Sequence, residues 1–288
     1  MVKMTAGFSV RIFIPSGEPE GLRIVEKSNW TGQGLVFPRS LFADARQRPE
    51  LRRAGVYVLW GPSESGQLPR VYVGEGDGVL MRLDQHAKAK DFWTHAAVFT
   101  SKDQSLNKAH VQHLESRLVA LATEAKRSDI DNGNTPQLPA LSEADVADAE
   151  SFLADVLLCL PLVGVSLFEK AKAAASGQGG DLLLKAKGID AHAIDSPEGF
   201  VVRTGSTAVK SETASIHAYL AELRRTLVGK GVLVDAGEWY RLAQDYTFNS
   251  PSTAAGVLLG RTANGRTEWR DSHGRTLKEL QEKAVDEP

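Results

Sequence analysis

The chain has 288 residues, 42% apolar and 24% charged, an ordinary globular balance that excludes a wholly disordered or collagen-like polymer and leaves room for two domains. Its formal charge of −2 does not by itself suggest a polyanionic partner. The single cysteine, Cys159, excludes an intramolecular disulfide and any cysteine-based zinc site, and it fits a reducing cytoplasm.

Residues 8 to 14 (FSVRIFI) alternate and stop at Pro15-Ser16-Gly17, which predicts a strand and a turn. Residues 55 to 60 (GVYVLW) and 70 to 74 (RVYVG) are β-branched and aromatic. Turn formers fill the stretch from Gly61 to Gly66, so the two runs are expected to pair as an antiparallel hairpin. A helix over Val79 to Lys88 and a third strand over Ala96 to Thr100 follow. From Leu106 an apolar stripe at helical spacing runs through Leu114 and Leu118 to Ala122. Residues 129 to 140 break it. Ser142 then reads as the cap of a helix with Glu143 and Asp145 in its first turn, reaching about Leu160.

The longest apolar run, Val156 to Val165, contains Pro161 and is about half the length of a bilayer span. Residues 1 to 20 hold no sustained apolar stretch, so neither a secretory signal nor a membrane partner is expected. Residues 171 to 181 (AKAAASGQGGD) are small and glycine-rich, as in a linker. Beyond them come strand-like LLLKAK and GFVVRTGS, a helix from about Glu212 to Leu227, and a closing segment from Phe248 to Asp271.

Charge is uneven along the chain. Residues 1 to 128 hold 18 Lys+Arg against 13 Asp+Glu, and residues 129 to 169 hold none against 8. A positive first part can attract an anionic polymer through its phosphates even when the whole chain is acidic. The acidic stretch reads as a solvated helix face that repels such a polymer from one side.

Tyr57 and Tyr72 lie in the triplets Gly55-Val56-Tyr57 and Tyr72-Val73-Gly74, one on each hairpin strand. Arg82 and His86 follow one helical turn apart and share a face. Glu115 lies on the long helix and Asn134 in the loop after it, close to Asn132 in an Asn-Gly-Asn turn. Singly, each has an ordinary use in packing or at the surface. Together and in this order they resemble the GIY-YIG nuclease superfamily over roughly residues 50 to 136, with valine for isoleucine in both triplets. His110, His113 and Glu115 do not form a zinc helix motif, which needs its histidines four apart with the glutamate between them.

The resemblance implies a small antiparallel sheet flanked by helices, and hydrolysis of DNA phosphodiester bonds, with RNA as the second candidate polymer. It implies one divalent cation, Mg²⁺ or Mn²⁺ in its place, held by Glu115. Such an ion neutralises a phosphate that would otherwise repel hydroxide. Arg82 would offer a forked cation to the scissile phosphate, and Tyr72, Tyr57 or His86 would take the proton from water. Tyr72 is the favoured base by resemblance, its pKa expected to fall from near 10 beside cationic charge. Two departures stand out. Glu75-Gly76-Asp77-Gly78 occupies a place where many relatives carry a lysine, which Lys88 or Lys90 could replace if the fold brings them round. The segment between the triplets, residues 58 to 71, is also long for the family.

Near the C-terminus, Phe248-Asn249-Ser250-Pro251 with Gly260 and Asn264-Gly265 ahead of Trp269 is similar to a domain of unknown function found after GIY-YIG modules and in restriction–modification contexts. Ser250-Pro251 predicts a helix start, and Asn264-Gly265 a tight turn into a strand carrying Trp269. Two uses are open for this module, reading DNA or packing. The expected whole is an α+β protein: an N-terminal β extension (1–49), a nuclease domain (50–170), a linker (171–181) and a second, smaller α+β domain (182–288). A non-catalytic nucleic-acid-binding or assembly module that kept the nuclease fold is the alternative.

Overall fold

The computed structural model describes residues 7–63, 68–169, 181–197 and 199–286, so nearly all of the predicted linker lies outside the described residues. The chain is α+β throughout and divides into two compact units, Met1–Phe168 and Glu169–Pro288. No helix among the described residues is long and apolar enough to cross a membrane.

The first unit is built on one sheet. Its strands are β1 (Val10–Phe13), β2 (Arg23–Lys27), β3 (Gly32–Pro38), β4 (Ala54–Gly61), β5 (Arg70–Asp77), β6 (His95–Ser101) and the short β7 (Asp129–Ile130), in the order β1-β2-β3-β6-β4-β5-β7. All neighbours are antiparallel except β5 and β7. The predicted hairpin forms, with Tyr57 opposite Gly74 and Leu59 opposite Tyr72. The N-terminal strands are more than an appendage. β3 pairs with β6 along its whole length, and Leu35, Val36 and Phe37 are buried. The boundary expected at residue 49 therefore falls inside a continuous sheet.

Helices α1 (Phe42–Ala45), α2 (Val79–Ala89), α3 (Lys108–Ala125) and α4 (Glu143–Leu162) complete this unit. Alternation along the strands makes two cores. On one face Tyr57, Leu59 and Val98 pack with Val79 and Leu83 of α2 and with Trp93. On the other, Val56, Val58, Val71 and Val73 pack with Leu114 and Leu118 of α3 and Val156 of α4. Each such fully buried aliphatic side chain stabilises the fold by about 1.5–3 kcal/mol. Asn107 caps α3 by accepting from the His110 amide at 3.0 Å, while His110 Nδ1 accepts from the Asn107 amide at 3.4 Å. Ser142 caps α4 as expected, accepting from the Asp145 amide.

The acidic stretch is not a bare solvated face. Asp131 pairs with Arg70 and Lys90, Asp155 with Lys27, Asp145 with His110, and Glu150 with His113 and Arg117. Cations of the first part of the chain are thus partly spent on acids of the second. The unit as a whole holds 18 Lys+Arg against 20 Asp+Glu. A positive excess confined to residues 1 to 128 does not survive folding.

The second unit holds β8 (Leu182–Ala186), β9 (Ile189–Ser196), β10 (Gly199–Val202), β11 (Thr207–Val209), β12 (Leu233–Ala236), β13 (Trp239–Leu242) and β14 (Tyr246–Phe248). They form two sheets, β14-β10-β9-β8 and β11-β13-β12, with helices α5 (Ala218–Gly229), α6 (Pro251–Leu259), α7 (Gly265–Glu268) and α8 (Leu277–Asp286). Ser250 caps α6 with Pro251 at its first position, as predicted. Asn264-Gly265 makes no hairpin turn. Asn264 instead caps the short α7, because its side chain accepts from the Arg266 amide two residues on. Trp269 is fully buried and its indole donates to the Pro251 carbonyl at 3.1 Å, and a Cβ at Gly265 would overlap the Pro251 backbone. Arg224, 2% exposed, donates to the carbonyls of Val209, Lys210 and Val257 and to Glu212. The C-terminal pattern residues Pro251, Gly265 and Trp269 are spent on packing α6 against α7.

Candidate active site

Tyr57 sits mid-strand in β4, and Tyr72 lies diagonally across from it on β5, on the face that α2 covers. Their rings are 6.2 Å apart. Gly74, directly opposite Tyr57, leaves the room the phenol occupies, since a Cβ there would overlap its hydroxyl. His86 of α2 closes the group. Its ring centre is 4.6 Å from that of Tyr72, and its Nε2 lies 2.8 Å from the Tyr57 hydroxyl. Arg82, one turn earlier on α2, is largely exposed at the rim of the group, where its guanidinium donates to Gln85 at 3.2 Å and its charge acts on both phenols. The stem of Arg82 runs over Gly76, where an added Cβ would lie 3.3 Å from its Cγ.

Glu115 arrives from α3, which packs on the opposite face of the sheet. Beyond Val71, β5 has no further strand on its outer side among the described residues. Both α2 and α3 pack on this strand, and the half-buried Glu115 acts electrostatically on Tyr57, Tyr72 and Arg82. Tyr57, Tyr72 and His86 gather on the α2 side of the hairpin with Arg82 at their rim, while Glu115 approaches β5 from the α3 side and is linked to them by charge and not by a contact.

The electrostatics depart from expectation. Burial raises both phenols above their ordinary value, and the Arg82 charge only partly offsets this. A tyrosine base with a lowered pKa is not what this site holds: desolvation outweighs the neighbouring cation. Burial, reinforced by Lys90 and Arg82, lowers His86 to about 4, so its imidazole is neutral at pH 7. Burial, reinforced by the Glu75 carboxylate, lifts Glu115 to about 7, against the pull of Arg82 and Lys108.

Asn134 does not join the group. It is exposed in the loop, and Asn132 is the residue that engages the hairpin. Its side chain accepts from the Val73 amide at 3.0 Å and donates to the Val73 carbonyl at 2.7 Å, extending the β7 edge by side-chain mimicry of a strand. In an Asn-Gly-Asn turn only the register of β7 against β5 decides which asparagine faces the strand. Sequence spacing does not carry that register. Lys90 does come round, its ammonium 4.4 Å from the centre of the Tyr72 ring and paired with Asp131, whereas Lys88 is exposed. His110 and His113 point to acids of α4, away from any triad with Glu115.

No group of three or more His, Cys, Asp or Glu that could hold a metal occurs among the described residues. A site with few protein ligands is still served here. Glu115 is a hard oxygen donor, and Glu75, whose carboxylate acts on it electrostatically, has one buried oxygen, Oε2, without a hydrogen-bond partner. That donor chemistry fits Mg²⁺, which takes one or two carboxylates and keeps much of its water.

Residues 182–281 match a protein family described as a domain of unknown function, DUF4357. No curated protein and no solved structure matches the chain. The likeness of residues 50 to 136 to GIY-YIG nucleases rests on the residues quoted above, with no match to that superfamily.

Proposed function

We propose that the first unit is a metal-dependent endonuclease of the GIY-YIG type that hydrolyses DNA phosphodiester bonds, and that the chain works in the cytoplasm. The observation that carries this reading is the cluster of Tyr57, Tyr72 and His86 under α2 with Arg82 at its rim, anchored by the 2.8 Å contact between His86 and Tyr57, with Glu115 acting on it electrostatically from α3. A divalent cation bound at Glu115 would neutralise phosphate charge and favour departure of the leaving oxygen.

The protein's own groups divide the remaining work. Arg82, largely exposed and held by Gln85, offers its guanidinium to a phosphate at the rim. His86, neutral at pH 7, can accept a proton at Nε2, and the Tyr57 hydroxyl against that nitrogen can relay one to it. His86 with Tyr57 thus replaces Tyr72 as the favoured acceptor. The half-buried Tyr72 ring, beneath the Lys90 ammonium, is left to orient water.

The test is conversion of supercoiled plasmid to nicked circle by the purified chain, in Mg²⁺ and in EDTA, with Glu115→Ala beside the wild type. Nicking in Mg²⁺ that Glu115→Ala abolishes supports the reading. Equal behaviour of the two proteins overturns it. A non-catalytic nucleic-acid-binding or assembly module is the second reading, favoured by the raised pKa of both phenols. It expects plasmid or RNA to be retained without cleavage.

A further inference from the structure

Side chains alternate along β5, so that Tyr72, Gly74 and Gly76 face α2 while Val71, Val73 and Glu75 face α3. Lys108 and Glu115 lie two turns apart on one side of α3, and the Lys108 ammonium is paired with Glu75 Oε1. Glu75 is therefore on the Glu115 side of the strand, three residues after Tyr72.

Its environment is unusual for a surface acid. The side chain is 13% exposed, and while Oε1 holds Lys108, Oε2 is enclosed without a donor. A buried carboxylate oxygen normally finds a partner, because leaving it bare forfeits hydration with nothing in return. Here the bare oxygen belongs to a side chain on the α3 side of the strand, paired with Lys108 two turns before Glu115, the residue assigned to the cation, and the two carboxylates repel one another.

We propose that Glu75 is a second carboxylate ligand of the cation held by Glu115, and that Lys108 stands in with its single positive charge until the cation binds. This rests on the reading of Glu115 as a metal-binding residue. It gives a use to the acid that occupies a place where many GIY-YIG relatives carry a lysine. Together Glu75 and Glu115 supply the charge that a divalent ion neutralises, and Oε2 supplies an oxygen not already claimed.

The experiment is titration of the full-length chain with Mn²⁺ alone, free ion being counted by electron paramagnetic resonance, for the wild type, Glu115→Gln, Glu75→Gln and Lys108→Met. The expected result is loss of binding in Glu115→Gln, weakening of about tenfold or more in Glu75→Gln, and several-fold tightening in Lys108→Met. Wild-type affinity in Glu75→Gln, with binding lost in Glu115→Gln, overturns the role of Glu75 and leaves that of Glu115 standing. Absence of Mn²⁺ binding by the wild type overturns both. Should Glu75→Gln fail to fold, Lys108→Met decides: tightening supports the second ligand, and unchanged or weaker binding overturns it.

Discussion

His86 Nε2 lies 2.8 Å from the Tyr57 hydroxyl in a buried contact between α2 and β4, and burial holds the imidazole neutral down to about pH 4. Replacing Tyr57 by Phe removes the hydroxyl and strands that nitrogen. We expect a stability loss of about 1–3 kcal/mol, read by urea unfolding. If the pair moves the proton, the cleavage rate falls by about 10²–10⁴-fold.

The two shifted groups make opposite contributions to stability against pH. His86 is lowered to about 4, so the unfolded chain binds its proton first and stability is lost as pH falls from about 6.5 towards 4. Glu115 is raised to about 7, so the folded chain binds the proton more tightly and stability is lost as pH rises from 4.5 towards 7. Glu115→Gln should accordingly melt higher than wild type at pH 8 and alike at pH 4. A difference that is constant across this range would contradict the assignment. Because the cation needs the carboxylate, Mn²⁺ should raise the melting temperature of the wild type more at pH 8 than at pH 6.

Gly74 faces the Tyr57 phenol with no room for a methyl group. Gly74→Ala must push the ring or the strand aside, at a cost of about 1–3 kcal/mol. The displaced hydroxyl would leave His86, so activity should fall further than stability alone explains. Comparing cleavage well below the melting temperature of each protein checks this.

Asn132 and Asn134 separate by consequence. Asn132→Ala removes both bonds to the Val73 backbone and is expected to destabilise by about 1–3 kcal/mol, whereas exposed Asn134→Ala stays within about 0.5 kcal/mol of wild type. Paired thermal melts of the two variants give the answer directly.

The hairpin, the capped α4 and the amphipathic α3 were legible because alternation, turn formers and Ser142 act locally. The grouping of Tyr57, Tyr72 and His86 with Arg82 nearby was legible only from their order, since each alone has an ordinary use. What escaped was set by long-range pairing. The register that turns Asn132 to Val73, the ion pairs that absorb the acids of 129–169, and the pairing of β3 with β6 all join distant residues. Burial of the phenols escaped for the same reason, because desolvation depends on what α2 lays over the hairpin. In the second unit, Asn264-Gly265 carried the same local signal for a hairpin turn and for a helix cap. Contact of Gly265 with Pro251 decided between them.

The most direct measurement is a double-mutant cycle on the single-turnover rate of Mg²⁺-dependent plasmid nicking, with Tyr57→Phe, Glu115→Gln and the combined variant. One centre predicts that the combined variant is about as slow as the slower single one. Losses that multiply, or a wild-type chain that does not nick DNA in Mg²⁺, would contradict a shared hydrolytic site at β5.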